Sequence, residues 1–456
     1  MKNMQPTEIK KIYFIGIEGA GTSALAKMYK NFGHKVSGSD DGDHFYGDVL
    51  SAENIKVLDY FDAKNIPSDV DWVVYSTAFK DDNPEIQEAK KRKLKMIPYS
   101  QALGDLFNEK MGIAVCGTHG KTTTTAIVAN IFQDAGLDPC ALVGSKVIQW
   151  KGNSLAGKGE YFIIEADEYQ NKLQNYNPWS VILTSVDYDH PDFFKTFEDY
   201  KKAFKDFVAK IPQHGFLICY GDDSSVLEVT QSASCPVFKY GFLEGNDYRI
   251  IFKDNGEFQL NFQEKNIGDF KIKIPGKHNI LNSVAALIVA HRVGIETEKI
   301  KKSLESFKGT NRRFEYVGEK NGAILIDDYA HHPEEVKASL KAARGLYPEK
   351  NIITIFHPHS YSRTEALLHE FSQSFDDCDK VIMLDIYGSA REKSGNVNSK
   401  TLVDLINKYD FKKAEHIPTI PEVISFLNKS IGANDVVISM GAGDVWRVTH
   451  ELATSN

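Results

Sequence analysis

Short apolar runs alternate with longer amphipathic stretches along the whole chain, and most of the apolar runs end in glycine or in polar residues suited to a turn. Short runs bounded in this way read as buried strands, and the stretches between them read as helices covering the faces of mostly parallel sheets. The pattern predicts strands at 11–17, 35–39, 71–75 and 95–98, with a tight turn at 18–21 and a helix over 22–31. Further strands are expected at 112–116, 161–164 and 179–186. Residues 215–274 change character: short alternating strands with turns at 221–223, 244–246 and 254–256 suggest a small β insertion. A helix rich in Ala and Leu opens after Pro275, and strand–helix alternation resumes with strands at 323–326, 352–356, 381–384 and 436–439.

The strand at 112–116 runs into the densest local chemistry. Gly117, Gly120, Lys121 and Thr122 follow its end directly, just before a helical pattern begins. Glycines let the backbone turn its N–H groups toward a phosphate, a lysine meets the terminal phosphates, a threonine hydroxyl suits magnesium, and the next helix presents its positive end. The spacing is shorter than in an ordinary P-loop, with two residues between Gly117 and Gly120. A chance Gly-rich turn is the bland alternative. The expected fold is α/β in three domains: a Rossmann-like domain over 1–107, a central P-loop ATPase-type domain with the β insertion over 108–311, and a Rossmann-like C-terminal domain over 312–456.

Composition narrows the classes without choosing one. The net charge of -8, from 54 basic and 62 acidic residues, offers no overall positive field for nucleic acid or an anionic membrane. The basic run Lys90, Lys91, Arg92 fits a solvated helix face. Five scattered cysteines without C-x-x-C spacing fit a reducing cytoplasm, and no apolar run reaches membrane-spanning length.

Other candidates sit at predicted strand ends, where ligands of open α/β sheets gather. Gly16, Gly19 and Gly21 form a Rossmann-type turn in an order unlike the dinucleotide fingerprint, with Asp40 after the second strand and Ser76, Thr77 and Ala78 after the third. Glu165 and Glu168 are magnesium candidates against a plain helix-terminal role, and His190 suits a second magnesium or a phosphate. Asn279 and Asn282 share a helical face that could read an adenine edge, with an N-cap as the other reading of Asn279. In the last third, His331, His332, His357 and His359 lack zinc-ligand spacing. Arg363 and Arg391 read as carboxylate or phosphate clamps, or else as surface ion pairs.

Taken in order, the loop at 117–123 and the motifs at 165–168, 189–190, 276–279, 312–315, 327–333 and 441–444 resemble the Mur ligases, ATP-dependent amide-bond formers of peptidoglycan precursor synthesis. The resemblance covers essentially the whole chain. It implies a first domain for a UDP-sugar, a second for ATP and a third for the amino acid. The stretches at 328–333, 358–364 and 387–392 are most similar to the alanine-adding branch, which joins L-alanine to the lactyl carboxylate of UDP-N-acetylmuramate.

Carried over by residue, the resemblance implies ATP contacts at Gly117, Thr118, His119, Gly120, Lys121, Thr122, Thr123, Asn279, Asn282, Arg313 and Asp328. It implies magnesium at Thr122, Glu165 and His190, and the UDP-sugar along Gly19, Ala20, Gly21, Asp40, Ser76, Thr77 and Ala78. Tyr329, His331 and Arg363 would surround the amino acid, with Lys121, Arg313 and His331 catalytic. The expected partners are UDP-N-acetylmuramate and L-alanine, with ATP and Mg2+, no nucleic acid and no membrane, in a cytoplasmic monomer or homodimer.

Two departures stand out. Phe204 occupies the place where many Mur ligases carry a carbamoylated lysine, which the alanine-adding branch also lacks, and Ser360 replaces an arginine of some alanine-adding members. The stretch 165–170 partly resembles the enzyme that recycles an intact tripeptide onto the same sugar, the nearest alternative. A nicotinamide-dependent oxidoreductase and a nucleotide-gated binding protein remain readings from other classes.

Overall fold

A computed structural model describes residues 8–42, 45–253, 256–388 and 394–455. They form three sheets. The first is parallel: β1 (Lys11–Ile15), β2 (Lys35–Ser39), β3 (Lys56–Leu58), β4 (Trp72–Tyr75) and β5 (Lys95–Pro98), ordered β3-β2-β1-β4-β5. Ile12, Tyr13, Phe14 and Ile15 are all buried, as expected of a central strand with helices on both faces. The register pairs Ile15 with Ser39 and with Tyr75, so Gly16, Asp40 and Ser76 emerge at one edge of the sheet.

The second sheet has ten strands: β6 (Met111–Cys116), β7 (Cys140–Val147), β8 (Gly152–Ala156), β9 (Tyr161–Glu165), β10 (Ser180–Leu183), β11 (Phe216–Tyr220), β12 (Val237–Gly241), β13 (Tyr248–Phe252), β14 (Glu257–Phe262) and β15 (Lys265–Lys271). Its order is β15-β14-β13-β12-β11-β10-β6-β9-β7-β8. The strands of 215–274 thus extend the central sheet, with β13 to β15 antiparallel at its far edge. The 221–223 turn leads into a helix, Ser224–Thr230, capped by Asp223, and residues 254 and 255 of the third expected turn lie outside the described residues. The strand expected over 179–186 is ladder-paired only from Ser180 to Leu183, because Thr184 turns its hydroxyl onto the carbonyls of Cys116 and His119.

The third sheet contains β16 (Glu315–Lys320), β17 (Ala323–Asp328), β18 (Asn351–Phe356), β19 (Lys380–Met383), β20 (Ala414–His416) and β21 (Asp435–Met440) in the order β16-β17-β21-β18-β19-β20. Only β16 runs antiparallel to its neighbour. One apolar cluster, with Val336, Leu340, Phe371 and Leu402, covers one face, and another, with Val423, Leu427, Val448 and Leu452, covers the other.

The chain divides into two compact units. One comprises Met1–Asp187, Glu198–Lys273 and Leu281–Lys308 and holds the first two sheets; the other comprises Tyr188–Phe197, Ile274–Ile280 and Gly309–Asn456 and holds the third. Among the described residues, no helix is long and apolar enough to cross a membrane.

Candidate active site

In the first unit, β6 is flanked by β10 and β9, with Leu183 opposite Cys116 and Glu165 opposite Val115. This register delivers the loop after β6, the acids after β9 and Thr184 to one edge. Gly117 has φ +125°, and a Cβ there would overlap Thr184 and Ser185. Gly120 has φ +78°, precedes the helix Lys121–Asp134, and lies so close to Asn282 that a Cβ would overlap its Oδ1. Both positions require glycine, and the helix Lys121–Asp134 begins directly after them.

Lys121 is held inside this loop. Its Nζ donates to the carbonyls of Gly117 and, at 3.0 Å, Thr118, and lies 3.2 Å from Glu168 Oε2. Burial works against the ammonium, but Glu168, followed by Asp167 and Glu165, outweighs it and holds the pKa above the ordinary lysine value. Thr122 donates to Glu165 Oε1 at 2.9 Å, and the backbone N–H of Gly144 donates to Oε2 at 2.7 Å. A hydroxyl beside a carboxylate at a phosphate loop is a hard-oxygen donor set, which fits magnesium sharing phosphate oxygens. Thr123 is buried in the first helical turn. The backbone N–H of His119 donates to Ser185 Oγ at 2.9 Å, and its ring stands 3.4 Å from Asp187.

Several contributors had no strong sequence signal. A Cβ at Gly144 would stand 2.5 Å from Glu165 Oε2, so a side chain there would displace the carboxylate. Tyr200 is fully buried on the helix Phe197–Val208, with its hydroxyl 2.8 Å from Glu168 Oε1 and 2.9 Å from Thr118 Oγ1. A tyrosine on the apolar face of an amphipathic helix is the one hint available, since a buried phenol needs a polar partner. Phe204, one turn on, is fully buried against the Tyr200 ring.

The sugar-side candidates converge at the edge of the first sheet. Ala20 and Gly21 lie in the first turn of the helix Ala20–Asn31 rather than in the preceding turn, and a Cβ at Gly21 would overlap the Tyr99 ring. Gly19 is the N-cap residue. Asp40 accepts the N–H groups of Glu18, Asp41 and Gly42 at 2.8, 2.9 and 3.2 Å. It therefore ties two turns together, and burial raises its pKa against those amides. Ser76 accepts the N–H of Ala78, and Thr77 donates to Gln170. Asn153, absent from the sequence reading, donates to the Ala20 carbonyl at 2.6 Å.

The second unit gathers the C-terminal candidates after β17, β18 and β21. Asp328 accepts the N–H of Ala330 at 2.7 Å, that of Phe314 at 2.8 Å and the Ser339 hydroxyl at 3.1 Å. Burial pushes it up to about 6 despite Arg313. The structure thus gives it the role of clamp for its own loop. Arg312 is the buried arginine of its pair, donating to Asp327 and to the Gly441 carbonyl. Arg313 is more exposed, 5.1 Å from the Tyr329 ring centre and 4.0 Å from Glu335.

His331 Nδ1 lies 2.9 Å from the Tyr329 carbonyl, which accepts only, so the proton is on Nδ1 and the lone pair on Nε2. Burial first, then Arg363, lowers its pKa to about 4 against Glu335 and Asp189. Arg363 corrects the surface-pair alternative: it is buried and forks onto Asp189, Nε to Oδ1 at 2.9 Å and Nη2 to Oδ2 at 3.2 Å. His190 has φ +56° and receives Asp189 Oδ1 at its backbone N–H, 2.7 Å away. Asn279 lies within the first turn of the helix Lys277–Arg292, which rules out the N-cap reading, and its side chain donates to the Pro275 carbonyl at 2.6 Å. The other histidines have separate partners, His332 capping the helix Pro333–Leu346 and His357 facing Asp444 at 3.4 Å. Arg391 and most of the 387–392 stretch lie outside the described residues.

Comparison with known proteins agrees with this arrangement. The Mur ligase family catalytic domain matches residues 11–111, the Mur ligase middle domain 115–290, and the Mur ligase glutamate ligase domain 312–443. A UDP-N-acetylmuramate–L-alanine ligase of Caldanaerobacter subterraneus is 39% identical, covering 98% of each chain. One from Desulfitobacterium hafniense is also 39% identical, covering 97% of this chain and 99% of its own. The crystal structure of a UDP-N-acetylmuramate–alanine ligase from Thermotoga maritima superposes with a TM-score of 0.83 at 25% identity, covering 97% of this chain and 98% of that one. Matched along its length by the three domain descriptions and by relatives of this identity, the chain belongs to the Mur ligase family.

Proposed function

We propose that this chain is an ATP-dependent ligase that joins L-alanine to the lactyl carboxylate of UDP-N-acetylmuramate in peptidoglycan precursor synthesis. The carrying observation is a phosphate loop, with Lys121 inside it and Thr122 bonded to Glu165, in a chain alignable end to end with relatives named for that reaction. The proposed division of labour is 1–107 for the UDP-sugar, 108–311 for ATP and 312–456 for the amino acid.

A lactyl carboxylate oxygen attacks the γ-phosphorus of ATP, the bond to the β,γ-bridging oxygen breaks, and ADP leaves. The other product is an acyl phosphate. Lys121 and Arg313 offset the charge of the transferring phosphoryl group, so positioning and electrostatics carry the step. Thr122 and Glu165 would hold one magnesium and His190 would serve a second, supplying further positive charge to the phosphates. The neutral amine of L-alanine then attacks the acyl carbonyl. The tetrahedral intermediate expels phosphate and leaves the amide, and the amine proton passes to a base. His331 supports that role through the lone pair on Nε2 and a ring that stays neutral over the working pH range. Tyr329 and Arg363 line the amino-acid side, and the reaction belongs in the cytoplasm.

The test is magnesium-dependent phosphate release from ATP and UDP-N-acetylmuramate with either L-alanine or L-Ala-γ-D-Glu-meso-diaminopimelate, the product being weighed by mass spectrometry. An alanine-sized gain with L-alanine alone is expected. Release with the tripeptide alone would reassign the chain to the recycling reaction and move the amino-substrate residues.

A further inference from the structure

The helix Phe197–Val208 buries most of one face and brings the Tyr200 hydroxyl to the phosphate loop. Tyr200 is fully buried, its ring edge-on to Phe204 with centres 5.1 Å apart. Its hydroxyl touches two parts of the nucleotide machinery. One is Glu168 Oε1 at 2.8 Å, on the carboxylate whose other oxygen faces Lys121 at 3.2 Å. The other is Thr118 Oγ1 at 2.9 Å, inside the loop between Gly117 and Gly120. Thr118 is also fixed to the strand-end backbone, its Oγ1 lying 2.9 Å from the Asp187 carbonyl and accepting the Asp187 N–H at 2.8 Å.

A phenol has one proton, and the carboxylate is the stronger acceptor, so the phenol donates to Glu168, while the single Thr118 hydroxyl proton is shared between the Asp187 carbonyl and the Tyr200 oxygen. Tyr200 thus ties together the loop backbone and the counter-charge of the loop lysine. Burial of Glu168, 1% exposed at its side chain, makes that tie specific, because a buried carboxylate needs each oxygen matched.

We propose that Tyr200 is a positioning residue for phosphoryl transfer, acting through Glu168 and Thr118 to hold Lys121 and the loop in register with the triphosphate. It does not touch the reacting atoms. Its effect falls on the ATP half-reaction and leaves recognition of the amino acid alone. The proposal deepens the ligase reading and rests on it.

Steady-state kinetics of the full chain test it, with phosphate release as readout. The wild type comes first: a wild type that releases no phosphate overturns the ligase reading itself. Given an active wild type, Tyr200→Phe keeps the ring and removes the hydroxyl. It should lower kcat roughly tenfold, the worth of one hydrogen bond to a charged group. KM for L-alanine and for UDP-N-acetylmuramate should stay within about twofold. Glu168→Gln should give a similar loss, and the double variant should be no slower than the worse single, because the two changes cut one connection.

A purely structural tyrosine predicts otherwise: a lower melting temperature for Tyr200→Phe with wild-type kcat, or losses that multiply in the double variant. Either result overturns the proposal. If Tyr200→Phe does not fold, Glu168→Gln decides alone, and wild-type kcat in that variant sinks the route through Glu168.

Discussion

Arg363 and Asp189 meet as a two-pronged ion pair with both side chains buried, although 174 residues separate them in sequence. Asp189 is the last acid before His190 and Arg363 belongs to the short helix after β18, so the pair fixes the loop segment 188–197 within its unit. Burial disfavours the Asp189 carboxylate, but Arg363, then His190 and His332, outweigh it and hold its pKa well below the ordinary range.

Removing one partner strands the other. Arg363→Ala should cost about 3–5 kcal/mol, as expected when a buried charge loses its counter-ion. Lysine cannot supply the fork and should recover only part. Because the folded pKa of Asp189 is depressed, its stabilisation is present above about pH 4 and fades as pH falls further. Urea midpoints between pH 3 and 7 check this, and a wild type whose acid loss matches that of Asp189→Asn would contradict it.

Lys121→Ala should reduce ADP formation by on the order of a thousandfold or more, since the residue's acceptors place it at the loop that cradles the phosphates. The melting temperature should fall as well, because Glu168 loses its buried counter-charge. Undiminished turnover would remove the phosphate-loop assignment.

Thr122→Ala and Glu165→Gln should each raise the magnesium concentration needed for half-maximal rate, because they share one donor set 2.9 Å across. Their combined effect should fall short of the product of the two. A magnesium titration of phosphate release reads this directly, and an unshifted curve in both variants would argue against magnesium at this pair.

His331 gives an unusual pH prediction. With its pKa lowered to about 4, a proton-accepting His331 loses function only as pH falls through that value. The acid limb of kcat should therefore not appear near 6.5, the ordinary histidine value. A limb at 6.5 that vanishes in His331→Ala would show that the ring is far more basic at work than its burial allows.

Asp328 behaves in the opposite sense to Asp189. Its pKa is raised to about 6, so the stability that goes with its protonated form is complete below about pH 4 and is lost as pH rises through 6. The loss should be on the order of 2 kcal/mol. Asp328→Asn should abolish that slope while lowering stability throughout, because one amide oxygen cannot satisfy both Phe314 and Ala330. Denaturation midpoints at pH 4 and 7 for both proteins decide it.

Much of this was legible in the sequence where the chemistry is local. Lys121, Thr122 and the helix behind them follow from a strand, a glycine loop and an apolar period within a few residues. Most strands of the three sheets follow from alternation, but β3, β7, β8, β16 and β20 were not expected. Partners at a distance were not legible. Arg363 reads as a clamp, but its carboxylate lies in another part of the chain; Asp40 and Asp328 read as ligand acids, yet most of their hydrogen bonds are accepted from backbone amides that no residue letter encodes. The strands of 215–274 are visible one by one, but their continuity with the central sheet depends on the pairing of β11 with β10. Tyr200, Gly144 and Asn153 escaped because each matters only through a residue at least 21 positions away.

Under the proposed ATP role, the three acceptors around the Lys121 ammonium would make nucleotide capture an exchange rather than an addition. A phosphate oxygen gains this cation only as a loop carbonyl or Glu168 gives it up, so the attraction between the two formal charges is largely cancelled by what is surrendered. Affinity under that role then depends on how little the loop has to rearrange. Selection at such a site acts on the shape of the backbone at Gly117 and Gly120 as much as on the charge of the lysine between them and the helix.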